Sequence, residues 1–195
     1  MDRDTELALI RRLRDQDQAA FDAVFDAYHA RLYNFLARLS RRRDLAEDLL
    51  EETWLRLVAH AGRLEPDTRL GAWLFTVARN LYISYCRSRS FDESTATDLI
   101  AIWPLAAPSP SPFEMAAASE LERRVDQALA RLPARSREVL LLVAVEGFTP
   151  GEAAVICGVS AEALRQRLSR ARTMLGRELA STRGHGARVL TEVTT

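Results

Sequence analysis

Residues 149–175, TPGEAAVICGVSAEALRQRLSRARTML, decide how the C-terminal part of this chain folds. Thr149 is followed three residues later by Glu152, with Pro150 between them. That is a capping box with proline at the first helical position, so a helix starts here. Ala153, Ala154 and Ile156 give it a small apolar face. Gly158 supplies a tight turn, Val159 plugs the core and Ser160 caps a second helix. In that second helix Leu164, Leu168, Ala171 and Leu175 share one side at about 100° per residue. Glu162, Gln166, Ser169 and Thr173 lie opposite, flanked by Arg165 and Arg170. Arg167 and Arg172 lie nearer the apolar stripe, where they reach phosphate or pair with acids. Two short helices, a tight turn and an arginine-rich second helix have the spacing of a helix-turn-helix. The bland alternative is a solvated helical hairpin with ordinary surface arginines.

The chain as a whole does not look like a DNA-binding protein by charge. Its 195 residues carry 27 basic side chains against 27 acidic ones. Every basic residue is arginine, which is the better fork for phosphate and base edges; a GC-rich genome gives the same bias and is the simpler explanation. The longest apolar runs, such as VLLLVAV from Val139 to Val145, are far too short to cross a bilayer. The opening residues, MDRDTELALIRRLRDQ, are charged throughout, unlike a secretory signal. Cys86 and Cys157 lie far apart without metal-ligand spacing and read as two buried free thiols. These features imply a soluble, cytoplasmic protein with no metal and no cofactor.

Helical periodicity dominates to about Ser90. Leu7, Ile10, Leu13, then Phe21, Val24, Phe25, Tyr28, Leu32, Phe35, Leu36 and Leu39 recur at spacings of three and four. Leu45, Leu49, Leu50, Trp54, Leu57 and Val58 continue the pattern until Gly62 and Pro66 break it. Leu70, Leu74, Val77, Ala78, Leu81 and Tyr85 resume it. From Phe91 the pattern fails, and the alternating Ser-Pro near Phe113 favours extended chain. It returns at EMAAASELERRVDQALARL and runs to about Leu179, with breaks at Pro133 and Gly147-Phe148. No stretch reads as a strand. The expected architecture is all-α: a helical domain over 1–90, a Pro/Ser-rich linker over 91–115, a helix-turn-helix domain over 116–180 and a loose, flexible tail over 181–195.

Two further segments carry chemistry. RLGAWLFTVARNLYISYCRSR sets Leu70, Leu74, Val77, Ala78, Leu81 and Tyr85 on one face. Arg69, Thr76, Asn80, Ile83 and Arg87 lie opposite, and Trp73 falls on the border. A half-exposed Trp beside Arg and Asn is suited to stack an unpaired base; the alternative is a core Trp anchoring a three-helix domain. DLAEDLLEETWLRL places Asp44, Glu47, Asp48, Glu51 and Glu52 on successive turns. No His or Cys accompanies them at ligand spacing, so metal work is not indicated. An acidic helix repels DNA and is suited to face a protein; the alternative is a solvated face.

These three segments, in this order and with a linker of this length, resemble the extracytoplasmic-function sigma factors of bacterial RNA polymerase, in the sigma-70 family. The resemblance runs from about Leu7 to Leu179. AEDLLEETWLRL is similar to the family's core-polymerase helix, AWLFTVARNL to its promoter-melting helix, and LPARSREVLLLVAVEGFTPGEAAVICGVSAEALRQRLSRARTML to its complete fourth region. The resemblance implies that Asp44, Glu47, Asp48, Leu49, Glu52 and Trp54 lie on the helix that binds the polymerase clamp. It implies that the loop from about Ala61 to Arg69, with Arg63 and Arg69, captures a flipped base of the −10 element near Trp73. Arg79 and Asn80 would hold the melted strand. Arg165, Gln166, Ser169 and Arg170, with Arg172, would meet the −35 element. The partners implied are RNA polymerase core, promoter DNA and an anti-sigma factor that wedges between the two domains or clamps them together. Glu51 stands where the family usually has Gln, Ser84 where Asp is frequent, and Pro150-Gly151 replaces a common Tyr-Glu, which removes a Tyr from the −35 backbone contacts.

The opposing charges then have separate uses: acidic surface for polymerase, basic surface for promoter. An autonomous helix-turn-helix regulator would leave the acidic helix and AWLFTVARNL without roles. A sigma mimic that sequesters an anti-sigma factor carries, in this family, a fused receiver domain for which the chain has no room. With no triad, phosphate loop or metal cluster, an enzyme is the weakest reading.

Overall fold

The computed structural model describes residues 2–92 and 120–192, with side chains to 89 and over 121–181. Among these residues every regular element is a helix. The linker expected over 91–115 lies outside the described residues apart from its first two positions, which end a helix.

Helix α1 spans Arg3–Arg14, α2 Gln18–Ser40 and α3 Arg43–His60. Local chemistry sets their ends. Asp2 accepts from the Thr5 amide at 3.0 Å and opens α1. Asp17 accepts from the amides of Ala19 and Ala20 and opens α2. Arg41, left-handed at φ 60°, closes α2. Such carboxylate caps satisfy amides that no helical carbonyl reaches.

Helix α4, Leu70–Asp92, is capped from a distance. The Glu6 carboxylate of α1 accepts from the amides of Leu70 at 2.7 Å and Gly71 at 3.4 Å. Arg3 holds Glu6 at 2.6 Å and also donates to the carbonyls of Asp67 and Thr68. A buried carboxylate at a helix N-terminus is favoured by the helix dipole. It ties the first helix to the loop that precedes α4. Gly71 is needed for space: a Cβ there would sit 3.1 Å from the Tyr28 hydroxyl.

The C-terminal half comprises α5 (Glu120–Arg131), α6 (Ala134–Leu140), a π-helical turn (Leu141–Val145), α7 (Pro150–Cys157) and α8 (Ala161–Glu192). The expected helix-turn-helix is present. Thr149 and Glu152 make the reciprocal capping box with Pro150 in the first turn. Gly158, at φ +62°, ends α7, and the Val159 amide returns to the Ala154 carbonyl at 3.0 Å, a Schellman closure. Ser160 accepts from the Ala163 amide at 3.1 Å and opens α8. Leu164, Leu168 and Ala171 are buried, as the periodicity predicts.

Two expectations need correction. The residues read as a loose tail from 181 continue the backbone of α8 to Glu192. No proline lies there, and Gly184 and Gly186 each cost only about 1 kcal/mol in a helix, less than is needed to end one. Val58, expected on the apolar face of α3, is 62% exposed.

The two halves form one continuous core rather than two separate ones. Phe75 of α4 lies between Phe35 of α2, at 5.1 Å, and Phe148 of the C-terminal half, also at 5.1 Å, edge-on to both. Arg137 of α6 is the polar centre of the junction. Its guanidinium donates to the carbonyls of Leu129, Ala130 and Leu132 at the end of α5. It also donates to those of Arg38 and Leu39 near the end of α2. One buried side chain thus caps a helix from each half, and its charge favours both dipoles. Burial, with Arg41 nearby, lowers its pKa to about 10, so it stays charged at neutral pH.

Candidate nucleic-acid and protein interfaces

The structure presents three surfaces. The first is the outer side of α8. Arg165, Gln166, Ser169, Arg170 and Arg172 are all exposed. Glu162, one turn ahead, accepts from Arg165 at 2.9 Å and from Gln166 at 3.2 Å. These bonds hold the Glu162 carboxyl below its ordinary pKa, so it is ionised at neutral pH. Arg170 donates back to the Gln166 carbonyl at 3.3 Å. A row of exposed donors on a helix whose N-terminus is free of bulky caps is suited to the major groove. Arg167 is half-buried and Arg172 exposed, so of the two only Arg167 sits nearer the core.

The second surface runs from the α3–α4 loop along α4. Arg63 and Arg69 are exposed, Trp73 is half-buried and Asn80 is exposed. The Trp73 ring lies 6.3 Å from that of His60, a neighbour the sequence does not point to. Arg69 reaches across to Glu152 of α7 at 3.5 Å. Arg79 differs from its neighbours. Its side chain is only 14% exposed and its Nε donates to Glu138 Oε1 at 2.6 Å, with Glu138 7% exposed. It also donates to the Asn80 side chain at 3.3 Å. Arg63, Arg69 and Asn80 are thus open to solvent and Trp73 partly so, while Arg79 is turned toward the C-terminal half.

The third surface is the acidic helix α3. Asp44, Glu47 and Asp48 are exposed, and Glu52 is half-buried and paired with Arg56 at 2.7 Å. Leu49 and Trp54, expected on the same surface, are 7% exposed and belong to the core. Their side chains follow the apolar stripe of α3, which faces α2. Trp54 packs against Phe25 at 4.9 Å and edge-on to Phe21 at 5.9 Å. It does contribute to an open groove of about 630 Å³ between α2 and α3. Phe25, Tyr33 and Leu55 line this groove with Val58, and Glu47 and Glu51 stand at its edge. Leu55 and Val58 are the large apolar side chains of α3 that are open to solvent. Periodicity alone places Val58 in the core; the acids at 47 and 51, on the same edge of the helix, are the sign in the sequence that this edge is outward.

Other residues of the junction are not legible as functional from sequence. Glu138 and Glu146 sit in an otherwise apolar stretch, and Arg31 lies in α2. Arg31 donates to Glu146 Oε2 at 3.0 Å and to the Glu146 carbonyl at 3.0 Å. Enclosed acids at either end of VLLLVAV imply basic partners, but nothing local shows which ones. Among the described residues no cluster of His, Cys, Asp or Glu could hold a metal ion, and no helix is long and apolar enough to cross a membrane.

Comparison with known proteins places both halves of the fold in one family. Residues 24–91 match the family model Sigma-70 region 2, and residues 122–175 match Sigma-70, region 4. The chain is 36% identical over 162 residues to RNA polymerase sigma factor CarQ of Myxococcus xanthus, covering 83% of this chain and 90% of that protein. It is 37% identical over 141 residues to the ECF RNA polymerase sigma factor EcfG of Rhodopseudomonas palustris, covering 72% and 75%. Among solved structures it resembles the sigma factor RpoE of Bartonella quintana in complex with the anti-sigma factor NepR. That match has a TM-score of 0.64 and 30% identity, over 82% of this chain and 96% of that one. The fold also matches CnrH in complex with the cytosolic domain of CnrY, with a TM-score of 0.67 and 23% identity, over 91% and 98%. With both regions in order and relatives matched over most of their length, the chain belongs to the extracytoplasmic-function sigma factors of the sigma-70 family.

Proposed function

We propose that this chain is an alternative sigma factor that binds core RNA polymerase in the cytoplasm, selects promoters for initiation and is held off them by an anti-sigma factor. It acts by binding and positioning, without catalysis of its own. The observation that carries this reading is the placement of an acidic helix and a basic recognition helix on one fold with the Sigma-70 region 2 and region 4 matches.

In this reading Asp44, Glu47, Asp48 and Glu52 meet basic polymerase surface. The neighbouring groove, with Leu55 and Val58, adds apolar contact, and Leu49 and Trp54 hold the helix in place from within. Charge guides the encounter, and burial of the exposed apolar side chains slows dissociation. Arg63, Arg69, Trp73 and Asn80 receive the non-template strand of the −10 element, with Trp73 offering a stacking face. Arg165, Gln166, Ser169 and Arg170 read the −35 element, and Arg172 holds phosphate. The solved RpoE–NepR complex supports control by an anti-sigma factor in a relative of similar sequence.

Reconstitution tests the reading. Core polymerase plus this protein should start transcription at a defined set of promoters that core alone ignores. An inability to bind core, together with strong duplex binding by the free protein, would favour an autonomous regulator.

A further inference from the structure

His60 ends α3 and stands exposed where the chain turns toward α4. Its Nδ1 lies 3.0 Å from the carbonyl oxygen of Arg56, one turn back. A carbonyl can only accept, so Nδ1 carries the proton. In the neutral ring the second nitrogen, Nε2, is then an acceptor. It has no hydrogen-bond partner among the described residues. The helix's own backbone thus gives this exposed ring one defined hydrogen-bonding edge.

The imidazole lies beside the half-buried Trp73, with ring centroids 6.3 Å apart and planes inclined at 49°. Aromatic rings in contact are about 4.5–7 Å apart, so no base enters between these two. A base stacked on the open face of the indole instead has its edge next to the imidazole. Arg63 and Arg69 are exposed between α3 and α4 and are suited to phosphate. Asn80 is exposed seven residues after Trp73, on the same side of α4.

We propose that His60 determines specificity for the unpaired promoter strand: through Nε2 it accepts from the exocyclic amino group of a base stacked on Trp73, and so favours adenine or cytosine over guanine or thymine at one position of the −10 element. Adenine N6 and cytosine N4 donate, whereas guanine and thymine put the acceptors O6 and O4 in the same place. Two acceptors set against each other leave both without a partner, and that penalty rejects the keto bases. The arginines of this face hold phosphate and cannot tell bases apart. Asn80 both donates and accepts, so it does not separate amino from keto bases as a lone acceptor does. The proposal rests on the promoter-strand reading of Trp73.

The experiment is transcription by reconstituted holoenzyme from a promoter library randomised across the −10 element. At one position the unchanged protein should favour amino bases over keto bases by about three- to tenfold, the range for a single hydrogen bond. His60→Phe keeps a ring beside Trp73 and removes both nitrogens. It should abolish that preference and leave the other positions as they were. His60→Ala should abolish it too. His60 is exposed, so both variants should fold, which circular dichroism checks. The proposal is overturned if no −10 position favours amino bases in the unchanged protein, if the preference survives both substitutions, or if they scale every sequence by one factor. Arg63→Ala with Asn80→Ala, run on the same library, separates this proposal from the reading beneath it. Lower output from every sequence, with the preferences of His60→Phe unchanged, keeps the strand-binding face and removes His60 from it. Full output from that double variant, with no effect of His60→Phe, removes the strand-binding face itself.

Discussion

Arg165 donates to Glu162 at 2.9 Å across one turn of α8, so the first basic residue of the recognition helix is already oriented before DNA arrives. The same carboxylate accepts from Gln166 at 3.2 Å. An acid placed among phosphate-seeking residues weakens attraction to any duplex, yet it holds the two side chains proposed to read bases in one geometry. Under the proposed base-reading role, its presence favours selection over affinity. Glu162→Ala should raise holoenzyme binding to non-promoter DNA severalfold at low salt and reduce discrimination among −35 sequences. Competition binding against promoter and non-promoter duplexes reads both effects.

The acids of α3 give the second prediction. Asp48→Arg with Glu52→Arg reverses two charges at surface positions, where substitutions usually change stability by less than about 0.5 kcal/mol. The thermal transition should stay in place while affinity for core polymerase falls at least about tenfold, an order-of-magnitude expectation for two reversed charges. A titration of labelled protein with core checks this. Unchanged affinity would remove α3 from the polymerase surface.

The capping box links stability to pH. The Thr149 amide and hydroxyl both donate to Glu152, at 3.0 and 2.8 Å, and hold its carboxyl below the ordinary value of 4.5. A depressed folded pKa stabilises above the unfolded value, and that contribution is lost as pH falls through the folded one. Thr149→Ala should therefore cost about 1 kcal/mol near neutral pH. The gap from the unchanged chain should narrow once the medium is well below 4.5. Urea unfolding at the two pH values measures it.

Cys157 supplies a probe of packing. Its side chain is buried, and burial, with the Glu138 carboxylate close by, pushes the thiol up to about 12. The thiolate is the reactive form. Iodoacetamide at mildly alkaline pH should modify Cys157 only after denaturant is added. Rapid labelling of the native protein would show that α7 opens readily and does not shield the thiol.

Much of the fold is readable from the chain. Thr149, Pro150, Glu152, Gly158 and Ser160 each have one dominant local reading, and together they fix a helix-turn-helix to the residue. The outward row of α8 follows from its period. What sequence does not supply is pairing at a distance. Glu6 caps a helix that begins at Leu70, and Arg79 meets Glu138 across 59 positions. Burial of an acid tells that a partner exists without naming it. Trp54 is ambiguous in sequence because a long aromatic beside several acids reads equally as surface or core; only its packing on Phe21 and Phe25 decides.

Base reading by α8 at the −35 element is the central claim. Arg bonds guanine at two atoms and Gln does the same with adenine, each worth roughly 1–3 kcal/mol of discrimination. Removing a phosphate-binding side chain such as Arg172 weakens all sites alike. The direct measurement is transcription from a randomised −35 library by holoenzyme carrying Arg165→Ala, Gln166→Ala or Arg172→Ala. The first two should change which −35 sequences are used, each at a separate position, and Arg172→Ala should lower output without changing preference. If Arg165→Ala and Gln166→Ala instead scale every promoter by one factor, these side chains do not read bases and α8 enters the groove by another face.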